Sequence, residues 1–183
     1  MMKSTFNRGV YFLFKKNLLL TNSVSSGGFM LMGDLILQEI EFQSKILPKR
    51  YDWARAGRMF LVGTLMGPMH HYYYIYLDKF LPKANLKTVA QKILTDQLLA
   101  SPSTILCFFY GMGYLEKKTF EQSNLEIKEK FKYVYTVDCL FWPPVQFVNF
   151  YFLPTHYRVF YINVATMIYN VFLSFMKHLE HYK

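Results

Sequence analysis

The chain has 183 residues, 52% of them hydrophobic and 19% aromatic, and carries a formal charge of +9. That length suits a single domain. A mean hydropathy of only +0.09 leaves a soluble helical domain with an aromatic core open on averages alone.

The distribution along the chain favours a membrane. Charges cluster between apolar segments and are sparse inside them. Tyrosine lowers the average because hydropathy scales score it as polar, although its ring suits a bilayer interface. The basic residues are spread over every connecting segment and form no single patch, which favours lipid contact or organelle import over direct RNA binding. Cys107 and Cys139 sit in apolar stretches without metal-motif spacing and read as buried free thiols.

Residues 1–20 are basic, with Lys3, Arg8, Lys15 and Lys16, and the first acid in the chain is Asp34. Mixed with Phe6, Phe12 and Phe14, this arm reads as a mitochondrial targeting segment, or as an interfacial helix against anionic lipid. Residues 18–40 are the first candidate span, with a small face of Ser23, Ser25, Ser26, Gly27 and Gly28. Asp34 and Gln38 lie one turn apart inside it, where a carboxylate is costly unless paired or wetted.

A charged connection over 41–55 follows. Asp52 is placed to cap the next helix, and the second span covers about 56–77. Arg55 and Arg58 are expected to snorkel toward the interface. Gly63 and Gly67 stand four apart on one face, where a neighbouring helix can approach closely. Pro68 lacks a backbone donor, which predicts a kink. His70, His71, Tyr72, Tyr73, Tyr74 and Tyr76 then read as interfacial groups at the helix end.

The third span covers 93–113, with Asp96 and Gln97 near its start and Pro102 as a second kink. Residues 114–136 alternate in charge and read as a surface helix with a capping box at Ser123 and Glu126. Residues 137–154 are short for a span and are interrupted by Pro143 and Pro144. Gln146 and Asn149 share one face of this stretch. A last apolar helix covers 158–176, and His178 and His181 fall in a solvated polar tail.

The reading is therefore an all-α integral membrane bundle of four transmembrane helices, five if the Pro-broken segment is counted. A basic arm (1–20), one membrane domain (21–176) and a polar tail (177–183) divide the chain. Enzyme motifs and metal-ligand clusters are missing, so neither catalysis nor a cofactor is expected.

What stands out is a set of polar residues inside apolar helices: Asp34, Gln38, Arg55, Arg58, Asp96, Gln97, Asp138, Gln146, Asn149 and Arg158. Intramembrane ionisable groups point to function and need a partner. Asp34 or Asp96 is expected to pair with Arg55, Arg58 or Arg158. Two readings stay open. One is a wet pathway for ions or small solutes, opened by backbone freed at Pro68, Pro102 and Pro143. The other is a structural polar core that fixes helix packing.

Several motifs carry a resemblance. Gly67, Pro68, His71, Tyr73, Tyr74, Leu77 and Asp78 form the first, with Tyr73 where Trp is usual. Trp142, Pro143, Gln146, Asn149, Phe150, Pro154, Tyr157 and Arg158 form the second. Gly33-Asp34 with Gln38, and Asp96-Gln97 before Pro102, are shorter. Over about residues 20–176 the chain resembles the Mpv-seventeen family, also called the twenty-two-kilodalton peroxisomal membrane protein family. Stretches such as Asp96–Pro102 and Cys139–Trp142 look most similar to its Mpv-seventeen-like type two branch.

That resemblance implies a mitochondrial inner-membrane location. It also implies association with the mitochondrial large ribosomal subunit in ribosome assembly and translation. Other family members imply a small-solute or ion channel of the inner membrane, or a peroxisomal membrane protein. Besides the lipid bilayer, a second copy of the chain is a candidate partner through Gly63 and Gly67.

Overall fold

The structure, a computed structural model, describes residues 17–178 except Ala84 and Pro154, without the side chains of 155–160 and 163. The basic arm up to residue 16, the Arg158 side chain and His181 lie outside the described residues.

The chain forms helices α1 (Leu18–Gln43), α2 (Trp53–Phe80), α3 (Leu86–Thr95), α4 (Ser101–Leu115), α5 (Phe120–Tyr151) and α6 (Thr155–Lys177). Among the described residues there is no strand. A π-helical turn, Asp96–Ala100, joins α3 to α4 into one rod, so the described residues form five rods. Links this short place successive rods antiparallel. The 44–52 and 116–119 connections and the end of α6 gather at one end of the bundle, and residues 81–83 with Asn85 lie at the other.

Local chemistry sets the boundaries. The Asp52 carboxylate accepts from Arg55 N–H at 3.0 Å and starts α2. Asn85 caps α3 in the same way through Thr88 N–H. The capping box of α5 is Thr119 with Gln122, not Ser123 with Glu126. Thr119 offers the same chemistry four residues earlier, so the helix begins before Ser123 and buries it. Helices α1 and α4 end on Lys45 and Lys117, whose φ values of 59° and 58° are left-handed. In each case the next residue's N–H returns to the helix, Ile46 to Glu41 and Lys118 to Gly113.

Proline interrupts less than the sequence suggests. Helix α2 continues through Pro68, so His70 and His71 sit well inside it. Helix α5 runs 32 residues through Pro143 and Pro144, merging the expected surface helix with the expected short span. At Pro102 the accommodation is the π-turn: Ser101 N–H bonds Asp96 C=O, one residue beyond the α-helical partner.

Small residues let α1 and α2 touch. A Cβ built on Gly63 would lie 2.9 Å from Gly27 Cα and 3.0 Å from Met30 Cβ, and one on Gly67 would strike Ser23. The close approach expected at Gly63 and Gly67 is therefore satisfied within the chain. Met59, Val62, Met66, Ile105, Phe108, Phe109, Met112 and Val134 form the apolar core.

Polarity is distributed inside out. Asp34, Gln38 and Glu41 are fully buried, whereas Leu20, Leu65, Leu98, Leu99 and Leu140 are each more than 60% exposed. A water-soluble bundle would place these the other way round. This also explains the low mean hydropathy, because inward polar residues dilute each helix. Against the four transmembrane helices expected, one rod among the described residues, Leu86–Leu115, is long and apolar enough to cross a membrane by length and composition, and Val164–Lys177 is a shorter apolar helix. Cys107, expected to be buried, lies exposed on the apolar exterior, and Cys139 is half-buried; both thiols are free.

Candidate functional site

Three polar assemblies occupy the interior. The first joins α1, α2 and α6. Asp34 and Glu41 are seven residues apart, so both face the same neighbours. Arg55, 3% exposed, donates from Nε to Asp34 at 2.7 Å and from Nη1 to Glu41 at 2.7 Å. Gln38 donates to Asp34 at 2.6 Å and accepts from Asp52 N–H. Ser174 of α6 donates to Asp34 at 2.5 Å. Arg55 was expected to snorkel; its guanidinium instead turns inward, because two buried carboxylates offer more than the interface. Arg58 makes no ion pair among the described residues.

The second assembly lies nearby at the same end of the bundle. Glu126 accepts from Lys118 at 2.9 Å, Lys130 at 3.0 Å and Lys177 at 2.8 Å. Lys177 also reaches Glu116 at 3.2 Å, and Lys130 donates to the Lys177 carbonyl. Lys177 and His178 were assigned to a solvated tail; both are buried, and His178 Nδ1 meets the Ser174 carbonyl at 2.9 Å.

The third assembly surrounds the π-turn. Asp96 accepts from Tyr74 OH at 3.4 Å, and Tyr74 accepts from Gln146 Nε2 at 2.7 Å. Asn149 donates to Gln146 at 3.3 Å. One turn beyond the π segment's start, Ser101 donates to Asp138 of α5. Tyr135 OH donates to the Gln97 carbonyl at 3.1 Å. Asp96 and Asp138 are 7% and 3% exposed, yet neither has a cationic partner among the described residues. Lys92, one turn from Asp96, pairs with Asp78 and lies over the Phe150 ring instead. The Gln97 amide and Asn149 Oδ1 are buried without a hydrogen-bond partner among the described residues.

The structure thus separates the candidate residues. Asp34, Gln38 and Arg55 meet in one assembly, and Asp96, Gln146 and Asn149 in another with Gln97 beside them. Pro102 follows the π-turn, Pro143 lies inside α5, Pro68 lies inside α2, and Gly63 and Gly67 belong to the α1–α2 contact. Sequence reasoning missed Glu41, Ser174, Glu126, Lys130 and Lys177. The spacing of Glu41 from Asp34, and of Lys130 four after Glu126, carried that signal. Among the described residues no group of His, Cys, Asp and Glu is arranged for a metal.

The protein-family model of the Mpv17 / PMP22 family matches residues 113–174, which include Glu126, Asp138 and the Gln146–Asn149 face. PXMP2/4 family protein 4 of Dictyostelium discoideum is 36% identical over 85% of this chain and 84% of its own length. The chain belongs to the Mpv17 / PMP22 family. Two further relatives show the breadth of the Mpv17 / PMP22 family. Peroxisomal membrane protein PMP22 of Arabidopsis thaliana is 27% identical over 84% of this chain and 80% of its own. Mitochondrial inner membrane protein Mpv17 of Danio rerio is 26% identical over 82% and 85%. No solved structure matches the chain.

Proposed function

We propose that the protein is a five-span bundle of the mitochondrial inner membrane that passes small solutes or ions along its polar interior, without catalysis. One observation carries the reading: Asp96 and Asp138 are buried inside the bundle and no cation among the described residues compensates them. A purely structural polar core has every reason to pair its charges, as Asp34 and Glu41 do with Arg55. Carboxylates left unpaired at membrane depth are instead expected along ion and proton routes. The π-turn at Asp96 and the prolines at 102 and 143 add irregular backbone there. Reading all five rods as spans rests on the apolar exterior that each presents. The acid-free arm favours mitochondria, and the peroxisomal membrane is the alternative that the relatives keep open.

The test is flux from liposomes holding the purified protein. Release of small ions above empty liposomes, cut by Asp96→Asn and Asp138→Asn in well-folded protein, is expected. Flux equal to empty liposomes ends the reading.

A second reading has its own observation. Leu125, Lys128, Glu129, Lys132, Tyr133 and Thr136 line one exposed face of α5. Resemblance to the type two branch implies association with the mitochondrial large ribosomal subunit, and on this second reading the exposed face of α5 is the docking surface. Co-sedimentation with that subunit, weakened by Lys128→Glu and Lys132→Glu, tests it. A steep salt dependence would add RNA phosphate contacts; migration only as a small membrane complex would refute it.

A further inference from the structure

Between the first two assemblies lies a cavity of about 210 Å³, lined by Leu47, Asp52, Arg55, Arg58, Glu116, Lys118, Lys177 and His178. Most of its charges are engaged. Arg55 serves Asp34 and Glu41; Lys177 and Lys118 each serve Glu116 and Glu126. Asp52 caps α2. Arg58 differs. It has no carboxylate partner among the described residues, and its Nε–H is buried without an acceptor. A guanidinium with an unmet donor at a cavity wall is matched by an oxyanion, which takes two parallel N–H bonds from the fork.

We propose that this cavity binds a phosphate group, with Arg58 as its direct ligand and Lys118 at its rim. Phosphate fits the setting better than a larger anion. The cavity is smaller than those that enclose drug-sized molecules, and it opens at the bundle end that also carries exposed Lys45, Lys49 and Trp53. On the membrane reading proposed above, that end lies at headgroup level, where anionic phospholipid supplies phosphate beside basic side chains and an interfacial tryptophan. Free inorganic phosphate offers the same chemistry.

The experiment uses the full chain in neutral detergent. Its thermal midpoint is followed while inorganic phosphate replaces chloride at constant ionic strength. In a second arm, anionic phospholipid replaces zwitterionic phospholipid in mixed micelles. A saturable upward shift in either arm, lost in Arg58→Gln, supports the site, and the arm that responds names the source. Arg58→Lys keeps the charge without the fork; it should weaken the shift several-fold, and it serves if the glutamine variant does not accumulate. Unshifted midpoints in both arms, or equal shifts in wild type and both variants, would overturn the proposal and leave water as the acceptor of Arg58. Neither arm needs transport, so failure of this site and failure of the solute pathway are separate results.

Discussion

Arg55 of α2 bonds Asp34 of α1 at 2.7 Å, with both side chains sealed from solvent. It holds Glu41 on the same helix at the same distance. One guanidinium therefore ties two carboxylates of the first rod to the second, and Ser174 links the pair to the last rod.

Removing one partner of such a pair leaves an uncompensated buried charge, which costs about 3–5 kcal/mol. Arg55→Leu strands two carboxylates and should lower the thermal midpoint and yield more than Asp34→Asn does. Replacing the whole set with apolar residues of similar volume should recover much of the loss. A midpoint unchanged in Arg55→Leu would show that the pair does not hold α1 to α2.

Glycines of α1 and α2 should respond in opposite directions. A Cβ on Gly63 meets Gly27, Met30 and Ser26, whereas one on Gly28 meets nothing within 4 Å. Gly63→Ala should cost about 1–3 kcal/mol by overpacking. Gly28→Ala should gain about 0.5–1 kcal/mol from reduced chain entropy. Paired unfolding curves in one detergent decide this.

Glu126 gathers Lys130 and Lys177, both buried, and the half-exposed Lys118. Glu126→Gln leaves two buried ammonium groups short of a carboxylate, a change that costs about 3–5 kcal/mol. Its thermal midpoint should fall well below that of wild type in the same detergent. An unchanged midpoint would show that this cluster does not hold the end of α6 to α5.

Lys45 and Lys117 hold left-handed conformations that glycine adopts without strain. Lys117→Gly should stabilise the fold by about 1 kcal/mol, read from the same unfolding curves. Loss of stability would mean that the lysine side chain contributes more than its backbone costs.

How much of this was legible in the sequence follows from which forces are local. Asp52 capping depends on a backbone N–H three residues on, and the four-residue spacing of Gly63 and Gly67 marks a face open to close approach before its partner helix is known. The choice of Arg55 over Arg58 as the partner of Asp34 depends on how α2 is rotated against α1, and spacing alone does not fix that. The continuation of α5 through Pro143 and Pro144 is likewise tertiary: packing against α4 and α6 outweighs two missing donors. Glu126 looked like half of a capping box because Ser-x-x-Glu is a local pattern. Its three lysine partners come from a loop, its own helix and the end of the chain, and only the fold brings them together.

The proposed bundle has five antiparallel spans with polar groups inside and apolar groups toward lipid. Single cysteines at Lys49, Lys83 and Glu121, placed in a chain with Cys107 and Cys139 replaced by serine, test it through a membrane-impermeant thiol reagent in sealed organelles. The account predicts that positions 49 and 121 label from one side and position 83 from the other. Labelling of all three from the same side would contradict it.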